Sequence, residues 1–415
     1  MTQDTGNQPR LTRVEDVPVF GPPDEASVRQ ILTCRRSQQA VGAALMADHH
    51  KGYSQPIGGV VVYEEAVSPS GVGYDIACGN KAVLTDMPAQ DARRDIARIM
   101  DRIWRGIEFG VGRSKARPVD HALFKDPTWD DVKELRSLFT LAREQLGTVG
   151  AGNHYVDLFE DEQGRIWIGV HFGSRGFGHR TASGFLNLAR GRAFNAPPRE
   201  GGMDAPPTVF PLHGNLGQDY LAAMKLAGRY AYAGRDIVCQ EVLAMLGARA
   251  LEEVHNHHNF AWIEEHRGRK VVVIRKGATP AYPGQKSFVG GSMGDISVIL
   301  EGVDSDLSRE AYYSTVHGAG RVMSRTEAAG KRRWGRRGRG PSRSGGGKIS
   351  REMMLQWVRE AGVELRGAGT DESPHCYKRL PQVLGDQGPT IRVLHTLKPI
   401  GVAMAGEDVQ DPYID

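Results

Sequence analysis

The chain lacks the features that mark membrane, secreted and zinc-clustered proteins. No stretch of its 415 residues approaches the roughly 18 consecutive apolar residues of a membrane-spanning helix. The opening MTQDTGNQPRLTRVED is polar and has no apolar core of the kind a secretory signal needs. Cysteine is scarce: Cys34, Cys78, Cys239 and Cys376 form no CxxC pair. That argues against a disulfide framework and against a tetrahedral cysteine zinc site. A cytoplasmic protein with reduced thiols, not bound to membranes, is the expectation. A charge excess of one sign is also missing. The net charge is only +4, and eight Lys and Arg with no acidic residue fall between Lys331 and Lys348, which leaves −4 on the rest. Nucleic-acid affinity is therefore a local property here, since there is no global basic field.

What the chain does have is glycine. Its 52 glycines gather in short clusters such as GVGYD, GTVGAGNH, GSRGFG, GGSMG and HGAGR, with no repeat period. Apolar runs over 58–64, before His171, and over 271–275 read as buried strands. Residues 88–107 place Ile96, Ile99, Met100, Ile103, Trp104 and Ile107 at helical spacing, and 130–145 reads the same way. A helix is expected over 218–248, broken near Gly234, and another over 349–361, capped by Ser350 or its neighbour. Strands and helices mix without regular βαβ spacing. The expectation is an α/β or α+β fold with one dominant core and the glycine clusters on connecting loops. Residues 1–24 read as a flexible leader.

Five constellations carry chemistry. Asp75 and Cys78 share the loop GVGYDIACGN, where a hard oxygen and a soft sulfur can face one ion; alone, the pair also reads as a turn aspartate beside a small buried thiol. Gly152-Asn153-His154 and His171-Phe172-Gly173-Ser174-Arg175 each add an imidazole. His255, His257 and His258 crowd into four positions, beyond the HExxH or zinc-finger spacings. A metal site assembled from distant loops is the preferred reading. His317-Gly318-Ala319-Gly320-Arg321, with Ser324-Arg325 behind it, offers close backbone approach to phosphate, bidentate arginines and a histidine able to act as base or nucleophile. The clusters 290–294 and 173–176 are further candidate phosphate nests, or ordinary tight turns. With Arg175, Arg275, Lys276, Arg321 and Arg325 they point to a polyanionic substrate. The segment KRRWGRRGRGPSRSGGGK reads equally as a solvated loop or as a mobile arm on phosphate backbones, with Trp334 for stacking.

The motifs DIACG, GNH, VHFGSRG, HHN, RKGAT, GSMG, HGAGRVMSR, DESPHCYK and KPIGV, in this order from about Leu32 to Val402, resemble the RtcB family of RNA-splicing ligases. The resemblance implies a single large catalytic domain over 25–405 with a deep central metal-binding cleft, a basic arm inserted at 331–348 and an acidic tail over 406–415. It implies joining of RNA 2′,3′-cyclic phosphate or 3′-phosphate ends to 5′-hydroxyl ends with GTP and two manganese ions, in tRNA splicing or RNA repair. Carried over by position, Asp75, His171 and His258 would hold one ion. Cys78 and His154 would hold the other, with Cys78 placed to bridge. His255 and His257 fall outside the motif match and are expected in support or packing. His317 would accept GMP, and Asn153, Asp157, Ser292, Ser297, Gly320 and Arg321 would line the nucleotide site. Arg175, Arg275, Lys276 and Arg325 would meet RNA phosphates. Two departures stand out: Asp157 replaces the family's usual Glu, and Met404 occupies the place of its C-terminal lysine. They open two alternatives, an end-processing guanylyltransferase that does not seal and a non-catalytic RNA-binding paralogue. The sequence names no activating protein.

Overall fold

The computed structural model describes residues 10–197, 202–330, 332–333, 342–343 and 346–406. Two sheets organise it. One runs in the order Leu11–Val14, Val17–Phe20, Ala40–His50, Ile57–Tyr63, Arg269–Lys276, Asn259–His266. The other runs Ala250–His257, Gly79–Pro88, Arg165–His171, Tyr155–Glu160, Ile391–Gly406, Ser297–Gly302, Lys286–Val289, with Glu364–Ala368 laid parallel to Ile391–Gly406. The expected mixed α/β class is what is found. The apolar run in Ile57–Tyr63 is buried almost throughout because the strand is interior and covered on both faces.

Residues 11–20 correct the expectation of a flexible leader. Leu11–Val14 and Val17–Phe20 pair antiparallel, and Val19 joins Leu45 of the next strand. Val17, Val19 and Phe20 are fully buried. Such short strands gain their stability from the sheet they join, which no local pattern reveals. The helix expected to break near Gly234 is continuous from Asn215 to Leu246 and ends on Gly247, left-handed at φ 66°. One interior glycine costs about 1 kcal/mol, too little to break so long a run. Here the bare Cα lets the helix approach Phe172, whose ring lies 3.3 Å from where a Cβ would stand. The amphipathic stretch 88–107 is two helices, Ala89–Arg94 and Ile96–Gly106, that bury Ile99, Met100 and Ile103. Residues 130–145 break into short turns and the helix Phe139–Gln145. Ser350 caps Arg351–Glu360 as expected. Most of the basic segment, and the tail beyond Gly406, lie outside the described residues. Among the described residues no helix is long and apolar enough to cross a membrane.

Arg275 also needs correction. It is fully buried, and its guanidinium grips Glu264 in a two-pronged ion pair at 2.7 and 3.0 Å while donating to Ser314 Oγ and the Tyr312 carbonyl. It ties strands together, with its nitrogens taken up by protein acceptors in place of the exposed phosphate contact expected. Burial works against the Glu264 carboxylate, yet Arg275 and the His266 hydrogen bond hold it down at about 2, from an ordinary 4.5. A carboxyl depressed on folding contributes stability that is complete above 4.5 and fades as pH falls towards 2. Glu264→Gln, which strands a buried cation, is expected to destabilise by about 3–5 kcal/mol at neutral pH. Denaturant melts should show that gap narrowing between about pH 4.5 and 2.

Candidate active site

Strand register gathers the site. His257 pairs with Gly79, Asn80 with His171, and His171 with Tyr155, so four neighbouring strands of the second sheet end level. Cys78 precedes one, His171 ends another, His154 precedes a third and His258 follows the fourth. His258 is also the one residue between Ala250–His257 of the second sheet and Asn259–His266 of the first. Ala77 holds a left-handed φ of 58°, unusual for a residue with a Cβ, and thereby turns the loop that carries Cys78.

Cys78 Sγ lies 3.2 Å from His171 Nε2 and 3.6 Å from His154 Nε2, and His154 Nε2 lies 3.1 Å from Asp75 Oδ2. The His258 ring packs edge-on to His171 at 5.1 Å between centroids. Two groups have ligand atoms within 4.8 Å of one another: Cys78, His171 and His258, and Asp75, Cys78 and His154. The five side chains expected from sequence therefore converge. Cys78 is common to both groups, in keeping with the bridging place expected of it, whereas Asp75 groups with His154 and not with His171 and His258. Burial, reinforced by neighbouring cationic groups, holds His171 and His258 well below the ordinary histidine range. Their imidazoles are neutral, the form that binds metal. Burial works against the Asp75 carboxylate, but His154, the Cys78 hydrogen bond and Arg175 hold it at about 2. Burial, with Asp75 adding to it, pushes the Cys78 thiol up. A cation in the site would displace that proton. Imidazole, thiolate and carboxylate together suit a divalent transition metal. The Nδ1 atoms of His154 and His258 are buried without a hydrogen-bond partner among the described residues.

His317 follows the strand Ser314–Val316, its ring 4.9 Å from that of His258. Its Nδ1–H donates to Asp48 Oδ2 at 2.6 Å, and the same oxygen accepts from the backbone N–H groups of His317 and Gly318. Asp48 is fully buried. Burial opposes its ionisation, but His317 and these N–H donors keep its carboxyl below the usual range. With Nδ1 committed to Asp48, the lone pair of the neutral ring resides on Nε2. Gly320, at φ 75°, passes so close to the Asp48 backbone that a side chain there would collide with its carbonyl.

A model of the family described as tRNA-splicing ligase RtcB matches residues 30–140 and 128–405. The chain belongs to the RtcB family. It is 30% identical to the RNA-splicing ligase RtcB of Escherichia coli K12, over 94% of this chain and 98% of that protein. It is 32% identical to the tRNA-splicing ligase RtcB of Pyrobaculum aerophilum, over 82% of each, and 29% identical to that of Thermococcus kodakarensis, over 92% and 93%.

The other residues assigned from the RtcB resemblance fall into place unevenly. Gly290 bridges Gly318, so the 290–294 and 317–321 loops lie side by side, and Ser297 Oγ steadies the first by accepting from Gly291 N–H. Ser292 lies in that loop, its carbonyl accepting from Asp295 N–H. Asn153 follows Gly152, which faces the Arg325 guanidinium. Asp157 is buried in Tyr155–Glu160, with Oδ1 unpartnered among the described residues. Burial raises its carboxyl well above the carboxylate range, which favours the protonated form that can donate an O–H. Arg321 donates to the Met323 and Asp371 carbonyls and to Tyr377 Oη, which engages all three of its nitrogens. It braces the loop around Gly320. Arg325 is paired with Asp371 and Glu372. Lys276 donates to the Tyr53 carbonyl at 2.6 Å and is 6% exposed, so it too ties backbone. Arg175 reaches Thr148 Oγ1 and the Gly110 carbonyl from the start of its helix.

Sequence reasoning missed Asp48, Arg235 and the Asp371–Glu372 pair. Each left a trace. Asp48 interrupts the apolar strand AVGAALMADHH, Arg235 stands in the small-residue helix segment YAYAGRDIV, and the pair lies in the quoted DESPHCYK motif.

Proposed function

We propose that this RNA ligase of the RtcB family joins RNA 2′,3′-cyclic phosphate or 3′-phosphate ends to 5′-hydroxyl ends, using GTP and manganese, with His317 accepting guanylate. The reading rests above all on His317, whose proton is tied to Asp48 while its other nitrogen is left to act beside His258. Asp75, Cys78 and His154 would hold one ion, and Cys78, His171 and His258 the second. Bound there, two cations supply charge neutralisation at phosphate oxygens. His317 Nε2 attacks the GTP α-phosphorus, the N–P bond forms, and pyrophosphate leaves with the electrons of the broken P–O bond. Guanylate next passes to the RNA 3′-phosphate and frees the imidazole. The RNA 5′-hydroxyl then attacks that activated phosphorus and expels GMP, leaving a phosphodiester. Asp157 would face the base, and Asn153, Ser292 and Gly320 would border the nucleotide. Of the four cations expected on RNA, Arg175 and Arg325 border this site.

One observation favours a second outcome. Met404 sits opposite Tyr155 in an apolar cluster, where an ammonium is expected from the resemblance, and its strand continues to Gly406. Guanylate transfer without sealing would follow if nothing else grips guanine.

Labelled GTP with manganese is expected to mark the protein covalently, through a bond that survives alkali and breaks in acid, with the label mapping to the peptide that contains His317. An RNA pair with 3′-phosphate and 5′-hydroxyl ends then separates sealed from merely capped product on a gel. Absence of any adduct with every divalent metal tried removes the reading.

A further inference from the structure

Arg235, near the middle of the helix Asn215–Leu246, is completely buried. No carboxylate of the described residues lies within ion-pair distance of it, unlike buried Arg275. Its four bonds go instead to neutral acceptors. Nη1 donates to the Phe172 carbonyl at 2.5 Å and the Ala77 carbonyl at 3.1 Å, Nη2 to His257 Nδ1 at 3.0 Å, and Nε to His255 Nε2 at 2.7 Å. Three of these acceptors immediately adjoin candidate ligands: Ala77 precedes Cys78, Phe172 follows His171, and His257 precedes His258. Those are the three members of one metal-competent group.

We propose that Arg235 is the positioning residue of the metal centre, one planar guanidinium that fixes the spacing of the three segments bearing Cys78, His171 and His258. The Ala77 carbonyl it holds belongs to the residue whose left-handed backbone aims Cys78. Its bonds also set two tautomers. As guanidinium only donates, His257 Nδ1 and His255 Nε2 must accept, so each ring carries its proton on the other nitrogen. For His255 that N–H faces Asp236 at 3.5 Å, and Asp236 in turn pairs with Lys81. The fork geometry matters because a lysine ammonium has one nitrogen and cannot span two carbonyls and an imidazole together. Support of this kind is worth about 10- to 100-fold in metal affinity.

The inference rests on the metal reading above, so its test reads metal binding and leaves RNA sealing aside. Cobalt(II) alone is titrated into the full chain, following the thiolate-to-cobalt charge-transfer absorption, with thermal melts of the metal-free proteins alongside. Wild type is expected to show the band and saturate. Arg235→Lys is expected to fold yet bind cobalt at least about tenfold more weakly, and Arg235→Gln more weakly still, each with a diminished band. Wild-type affinity and band in either variant overturn the positioning role while leaving the metal centre intact. No cobalt band in wild type overturns both. Failure of both variants to fold makes the arginine a support of the fold alone and also ends the proposal.

Discussion

Asp48→Asn is expected to slow guanylate transfer to His317 by roughly 10²–10⁴ while leaving metal binding intact, because the loss of an orienting carboxylate puts the imidazole proton on the wrong nitrogen. The wild-type carboxylate takes three donors on one oxygen: the His317 ring and the backbone N–H groups of His317 and Gly318. An amide lacks the negative charge that favours Nδ1–H, and its NH2, when turned to the ring, donates to Nδ1. The proton then moves to Nε2, which loses its standing lone pair. Single-turnover formation of the labelled adduct measures this directly. Asp48 is ionised at neutral pH, so the defect should persist across the neutral range and should not be repaired by a change of one pH unit. A rate within about threefold of wild type would show that His317 is oriented by packing, since a working acid–base partner is worth at least about 10².

Cys78→Ala should remove a donor from both metal-competent groups at once, because one Sγ serves Asp75 and His154 on one side and His171 and His258 on the other. We expect manganese affinity to fall at both positions by at least roughly 100-fold, above the range for losing a supporting residue. Calorimetric titration and metal analysis after gel filtration read stoichiometry and affinity together. His154→Ala, in contrast, is expected to weaken only the position that includes Asp75. Equal manganese stoichiometry and affinity in wild type and Cys78→Ala would refute the shared sulfur. Substitution by serine should recover little, since a hydroxyl does not offer the soft anion that the thiol becomes when a cation binds.

The residues alone read as a metal site assembled from distant loops, and the RtcB resemblance named the five side chains that the structure brings together. What escaped was whatever depends on register. Whether Asp75 faces His154 or His171 is decided by how Gly79–Pro88 pairs with Arg165–His171, with Asn80 level with His171, and no local pattern encodes that. Arg275 looked like a phosphate ligand because the pattern RKGAT says nothing about Glu264 eleven residues earlier and one strand away. The bracing role of Arg321 was hidden for a related reason: its partners Asp371 and Tyr377 lie about fifty residues on. In the fold, strands with dense apolar runs and the Ser350 cap were readable from local chemistry. The pair of short strands in 11–20 was not, since Thr12 and Arg13 in the first are exposed and Pro18 in the second reads as a loop residue.

His258 stands where the chain steps from one sheet to the other. An ion gripping its imidazole thus pulls on Ala250–His257 and Asn259–His266 together, and fastens both to the loops of Cys78 and His171. Loading the centre should consequently make the two sheets melt as one unit, and stripping it should let them come apart in separate thermal steps.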